Sequence, residues 1–270
     1  MPYTTIRYEI DGPVAQLTLD RPGRLNAMNR TMLEEINRAC DAAESDPGVR
    51  ALVVTGAGSA FSSGFDLKEQ MEARPSGPEA WRKILDDDFG ATMRFWSLSK
   101  PTIAAVHGHC LAGACEVALA CDVTIAAEDA VFGEPELKFG AGIVTMILPW
   151  VTGPKQAKEI IFNGLDDISA QEALRLGLVN RVVPRGEDVA AALAMARRIA
   201  VVDPELVRET KRAINRAYEI MGMGEALATA LDIDHGIESR GSSDKRRFME
   251  IARTEGLRAA IAWRDERFSK

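Results

Sequence analysis

The chain has 270 residues, 46% hydrophobic and 27% charged, which is enough for one large domain, or a domain with an appendage, around an ordinary core. A formal net charge of −7 speaks against nucleic acid as a partner of the whole chain. No apolar run reaches the roughly 18–20 residues of a membrane span, and "MPYTTIRYEI" lacks a signal-peptide pattern, so a cytoplasmic, reduced protein is expected.

In chain order, "TTIRYEI" and "VAQLTLD" predict two strands around Asp11-Gly12, a hairpin signal. A helix follows "RPGRLNAMN", with Asn29 as N-cap and Met32, Leu33, Ile36, Ala39, Cys40 and Ala43 on one apolar face. The continuous run "VRALVVTG" predicts a strand covered on both faces. "GAGSAFSSGFD" is a loop whose glycines fit neither G-x-G-x-x-G nor a P-loop. "ARPSGPEA" reads as a mobile surface stretch before a helix over 81–99. Pro101 opens the strand "TIAAVHG", and another strand is expected near 123–126. Beyond Lys155 helices dominate, with "LVNRVVP" as the one clear late strand. The pattern predicts an α/β core over 1–200 and a helical extension over 201–270 that packs on a partner subunit, with Leu227, Leu231 and Ile233 among its apolar positions.

Cys40, Cys110, Cys115 and Cys121 show no C-x-x-C spacing and read as small core residues. His107 and His109 lack the spacing and the carboxylate company of a metal site, and no metal is expected. Eight basic and four acidic residues between Lys245 and Lys270 form either a solvated amphipathic helix or a surface for a phosphorylated ligand.

"HCLAGACEVALACD" is the stretch that carries chemistry. Glu116 is its one charge between His109 and Asp122, among small apolar residues. Burying a lone carboxylate costs several kcal/mol or raises its pKa, which suits acid/base work in a pocket. Gly113 falls at the start of the same helix, where unpaired N–H groups and a bare α-carbon admit a ligand oxygen. Concerted chemistry needs a second carboxyl, and "FGEPELKFG" offers Glu134 and Glu136, either of which has Lys138 as a surface partner; the residues alone do not choose between them.

Taken together, "AFSSGFDLKE", "KPTIAAVHGHCLAGACEVALACD", "FGEPEL" and "ISAQEALRLGLVNRVVP", in this order, resemble the enoyl-CoA hydratase/isomerase (crotonase) superfamily over nearly the whole chain. The resemblance implies a crotonase-like spiral of strand-strand-helix units with a helical C-terminal region, assembled as a homotrimer or homohexamer. It implies that the Phe65 and Gly113 N–H groups form an oxyanion hole and that Glu116 and Glu136 are the catalytic pair. By the same resemblance, Arg24, Ala27, Ser63, Leu67 and Lys68 contact coenzyme A, as do Phe268 and Lys270 from a neighbouring subunit. Coenzyme A enters as part of the acyl-CoA substrate, with no separate cofactor. The implied activity is hydration of a 2-enoyl-CoA; the alternatives are Δ3,Δ2-enoyl-CoA isomerisation and silent acyl-CoA binding. One departure stands out: "FGAGIVTMILPW" replaces the family's P-G-A-G-G-T type segment, putting Val144 where a glycine borders the attacking water and implying a reshaped acyl pocket.

Overall fold

The computed structural model describes residues 2–268. Strands β1 (Ile6–Asp11) and β2 (Val14–Leu19) pair antiparallel, with the turn on Gly12-Pro13 and Gly12 at a φ of 57°, which a β-carbon resists. Helix α1 (Arg30–Ser45) starts where expected: the Asn29 side chain accepts from the Met32 N–H at 3.1 Å. All six residues of its expected apolar face are buried. Glu35 is buried with them, accepting from the N–H and hydroxyl groups of Thr4 and Thr5.

Strand β3 (Ala51–Gly56) is followed by α2 (Leu67–Ala73) and α3 (Gly77–Ser97). The stretch read as mobile surface is therefore partly the first turn of α3. Pro78 opens that turn, where a missing N–H has no helical partner to lose. The short α2 was not foreseen; Asp66 caps it by accepting from the Lys68 and Glu69 N–H groups.

Next come β4 (Thr102–Val106), β5 (His109–Leu111), α4 (Gly113–Ala120), β6 (Val123–Ala127) and β7 (Val131–Gly133). A 3-10 turn at Glu136–Phe139 leads to α5 (Leu148–Thr152), α6 (Pro154–Asn163), β8 (Ile168–Ser169), α7 (Ala170–Arg175) and β9 (Arg181–Val183). Five helices complete the described chain: α8 (Asp188–Ile199), α9 (Pro204–Ile220), α10 (Met223–Arg240), α11 (Ser243–Thr254) and α12 (Leu257–Phe268).

The strands form two mixed sheets. One has the order β1-β2-β3-β4-β6-β9, parallel beyond the hairpin; the other has the order β5-β7-β8. Alternation along the large sheet explains its continuous apolar runs. Leu52, Val54, Ala104, Val106 and Ala126 enter the main core with α1, α3 and α4. Ala51, Val53, Ile103, Ala105 and Ile125 enter a second core under α8. This is the expected α/β architecture of strand-strand-helix units with a helical C-terminal region.

That region packs back on the chain itself. Leu227 lies in the main core and Leu231 is 4% exposed, so neither is free for a partner as the sequence reading had it; Ile233 is exposed. Within this region the exposed apolar side chains lie mainly on and around α9, among them Leu206, Ile214 and Ile220. A third, small core joins Phe248, Ile251, Ala252 and Ala260 to Leu67, Met71 and Phe139. Among the described residues no helix is long and apolar enough to cross a membrane.

Candidate active site

Helix α4 is buried at all eight positions, and its many small residues let it sit deep between the sheets. Ala112 precedes it at φ 56° and ψ −137°, a backbone shape that side-chain-bearing residues rarely adopt. The loop 61–66 runs alongside. Ser62 N–H donates to His109 O at 3.0 Å, and Leu111 N–H donates to Ser62 O at 3.2 Å. On its other side, Met28 N–H donates to Gly64 O at 2.8 Å and Asp66 N–H to Met28 O at 3.0 Å.

This pairing sets Phe65 against Gly113. A β-carbon placed on Gly113 would fall 2.3 Å from the Phe65 ring, and one on Gly64 would fall 2.8 Å from the Ala112 methyl. Among the described residues, neither the Phe65 nor the Gly113 N–H meets a protein acceptor. Two neighbouring donors, one at a helix N-terminus, are thus left for a ligand.

Three residues that the sequence reading did not single out hold this loop. Asn26 is fully buried, donates to Ala57 O and Ala60 O at 2.8 Å, and accepts from the Arg21 N–H at 2.9 Å. Arg21 also reaches Asp66 Oδ2 at 2.8 Å. Asn26 has a φ of 53°, which asparagine tolerates better than most residues, so "RLNAM" carried a faint signal.

Glu116 Oε1 accepts from the Thr145 N–H at 3.0 Å, while Oε2 is buried without a partner. Glu134, only 1% exposed, and Glu136 come to the same place, and an oxygen from each of the three carboxyls lies within 4.8 Å of the others. Glu134 Oε2 and Glu136 Oε2 are likewise buried and unpartnered. Lys138 pairs with Asp166 at 2.9 Å instead of with either glutamate, so the surface-loop alternative does not hold.

Burial pushes the Glu116 carboxyl well above the usual range; the Glu136 charge adds to this and the Thr145 N–H opposes it. Burial does the same to Glu134, reinforced by the charges of Glu136 and Glu116. Glu136 is pushed up to about 8, again chiefly by burial. Burial therefore favours the protonated form of all three carboxyls. Three carboxylate oxygens so close also have a donor set suited to a divalent cation. His107 takes no part in such a set: its Nδ1 lies 2.9 Å from Asp188 Oδ2, and His109 is exposed.

A cleft of about 500 Å³ opens beside the cluster. Arg24, Ala27, Ser63, Leu67 and Lys68 line it, as do Phe65, Glu136 and Val144. Phe268 does not line the cleft of its own chain; its ring lies 5.6 Å from Lys138 Nζ. Lys270 lies outside the described residues.

A family profile described as enoyl-CoA hydratase/isomerase matches residues 9–255. A relative from Mycobacterium bovis, named as a probable enoyl-CoA hydratase, is 37% identical over 229 residues, covering 81% of this chain and 84% of its own. The short-chain-enoyl-CoA hydratase of Clostridium acetobutylicum is 36% identical over 245 residues, covering 85% and 92%. The crystal structure of an enoyl-CoA hydratase/isomerase from Xanthobacter autotrophicus Py2 superposes with a TM-score of 0.98 at 62% identity, covering 98% of this chain and 99% of that one. With sequence and fold in agreement, the chain belongs to the enoyl-CoA hydratase/isomerase (crotonase) family.

Proposed function

We propose that the protein is an enoyl-CoA hydratase, adding water across the 2,3-double bond of a 2-enoyl-CoA. The observation that carries this reading is the pairing of two unused backbone donors, at Phe65 and Gly113, with carboxyls that share one buried pocket. Isomerisation needs one base, whereas hydration needs an acid and a base together, and a pocket with more than one carboxyl favours the latter.

In this reading the Phe65 and Gly113 N–H groups take the thioester oxygen. Glu116 removes a proton from water as the water oxygen bonds to the β-carbon. The displaced π pair moves toward the thioester, where the two donors hold the enolate charge. Glu136 then gives its proton to the α-carbon, so one water is added in all. Each oxyanion donor contributes about 10²–10³ in rate. Glu116 ends protonated and Glu136 ionised. The proton has to return across a cluster whose oxygens lie within 4.8 Å of one another, and Glu134 sits within that path. Arg24, Ala27, Ser63, Leu67 and Lys68 hold coenzyme A along the cleft, and Val144 shapes its acyl end.

Turnover of 2-enoyl-CoAs in D₂O tests the proposal. The expected product is a 3-hydroxyacyl-CoA with one deuterium at the α-carbon. Brisk conversion of a 3-enoyl-CoA, with no 2-enoyl-CoA of any length gaining water, would establish the isomerase instead.

We also propose a homotrimer or homohexamer, with the exposed apolar side chains of α9 contributing to the interface and residues 201–270 to the packing. Light scattering at micromolar concentration should give a multiple of three; a stable monomer would refute it.

A further inference from the structure

Three helices place ionisable residues on largely apolar stripes, one each on α3 and α11 and two on α10. On α3 the buried stripe is Trp81, Leu85, Asp88, Thr92 and Phe95. On α10 it is Met223, Leu227, Leu231, Asp234 and Glu238. On α11 Lys245 joins Phe248 and Ile251. Such spacing normally delivers core side chains. Here Asp88, Asp234, Glu238 and Lys245 instead meet at one wall of the cleft.

The charges on that wall do not cancel. Lys245 is taken by Glu238, with which it forms an ion pair, and its ammonium lies 4.3 Å from the centre of the Trp81 ring. Glu238 also receives the Gly142 N–H at 3.3 Å. Asp234 has no such partner. It is 2% exposed, it lines the cleft, and both of its carboxyl oxygens are buried without a hydrogen bond. Gly142 lies against it: a β-carbon there would fall 1.9 Å from Asp234 Oδ1. Asp88, 8% exposed, lines the same wall; Asp87, Glu69 and Asp234 add negative charge around it, and Arg30 opposes them.

The wall adjoins the reacting centre. Asp234 lies against Gly142, on the segment that leads from Glu136 to Val144. The residues assigned to coenzyme A lie on the 23–28 and 63–68 segments. The acidic wall therefore faces the acyl group. Arg30 and Lys245 oppose the charge of Asp88 and Asp234 without forming an ion pair with either, and a plain alkyl chain would leave the Asp234 oxygens unsatisfied.

We propose that this wall selects an acyl group bearing a hydrogen-bond donor, a hydroxyl or an ammonium, which Asp88 and Asp234 receive. The proposal rests on the acyl-CoA reading of the cleft. A carboxylate at the same place would add another acidic group to a wall where burial already raises the Asp88 and Asp234 carboxyls, and is disfavoured.

A matched panel of 2-enoyl-CoAs of equal length tests it, with tails ending in methyl, hydroxyl, ammonium or carboxylate, over a series of lengths. Binding of the corresponding saturated acyl-CoAs is measured by calorimetry in parallel. At the best length, kcat/KM for the hydroxyl or ammonium tail should exceed that for methyl by about tenfold or more. Whichever of the two leads identifies the donor. Replacing Asp234→Leu and Asp88→Leu together should invert the preference toward methyl. A parent enzyme that prefers the methyl or carboxylate tail, or does not discriminate, overturns the proposal while leaving the hydratase reading standing. Failure of every acyl-CoA to bind overturns both.

Discussion

Glu116→Gln and Glu136→Gln should each lower kcat/KM for a good 2-enoyl-CoA by about 10²–10⁴, with acyl-CoA binding retained. Glutamine keeps the shape of the side chain but neither accepts a proton from water nor yields one to carbon. An isomerase relying on one base would tolerate one of the two changes, so near-parental hydration by either folded variant sinks the assignment. A second readout guards against misfolding. The Glu136 carboxyl is raised from an ordinary value of 4.5 to about 8. The unfolded chain therefore releases this proton near the lower value, while the native state keeps it until the upper one. Native stability accordingly falls as pH rises through that window. Glu136→Gln lacks the effect, so its stability relative to the parent should grow across the window and level off beyond it. Denaturant unfolding at the two ends measures this directly.

Gly113→Ala should lower kcat/KM by about 10², as though one oxyanion donor had been lost. The new methyl does not simply face the substrate. It drives into the Phe65 ring, which lines the cleft and must swing away. The ring is the obstacle, whereas the Phe65 N–H is the working group. Phe65→Ala in the Gly113→Ala background should therefore recover part of the activity, because it removes the ring and keeps the N–H. A folded Gly113→Ala variant as active as the parent would reduce Gly113 to a packing position. Absence of recovery in the double variant would place the defect in the helix terminus instead.

The sequence discloses Glu116 because a single charge stands out among small apolar neighbours. It discloses the hairpin, the N-cap at Asn29 and β3 because these depend on local turn chemistry and on simple apolar runs. It leaves Glu134 and Glu136 unresolved, since both sit in a loop whose burial depends on α4 and on the segment around Thr145. Thr145 itself carries no local signal, as its role comes from a backbone N–H. Asp88 was hidden by its neighbours: "LDDDF" reads as a solvated face, although helical phase from Trp81 and Leu85 puts only the third aspartate inside. Asp234 was legible by the same phase, on the stripe that runs from Leu227 through Leu231. The apolar count on α10 suggested a partner, but α3 already covers that face.

The three cores are unequal, and the difference has a kinetic meaning. The sheet is anchored by the first two, whereas the α11–α12 side of the cleft rests on the third, whose buried members are Phe248, Ile251 and two alanines. At about 1.5–3 kcal/mol for each large side chain, the two large buried members of that cluster contribute about 3–6 kcal/mol, against a far larger number of buried side chains in the first core. Local opening there would leave the packing of β3, β4 and α4, which lies in the other two cores, in place. Amide exchange on α11 and α12 is therefore expected to be faster than on β3, β4 and α4, which hydrogen-exchange measurements would read directly.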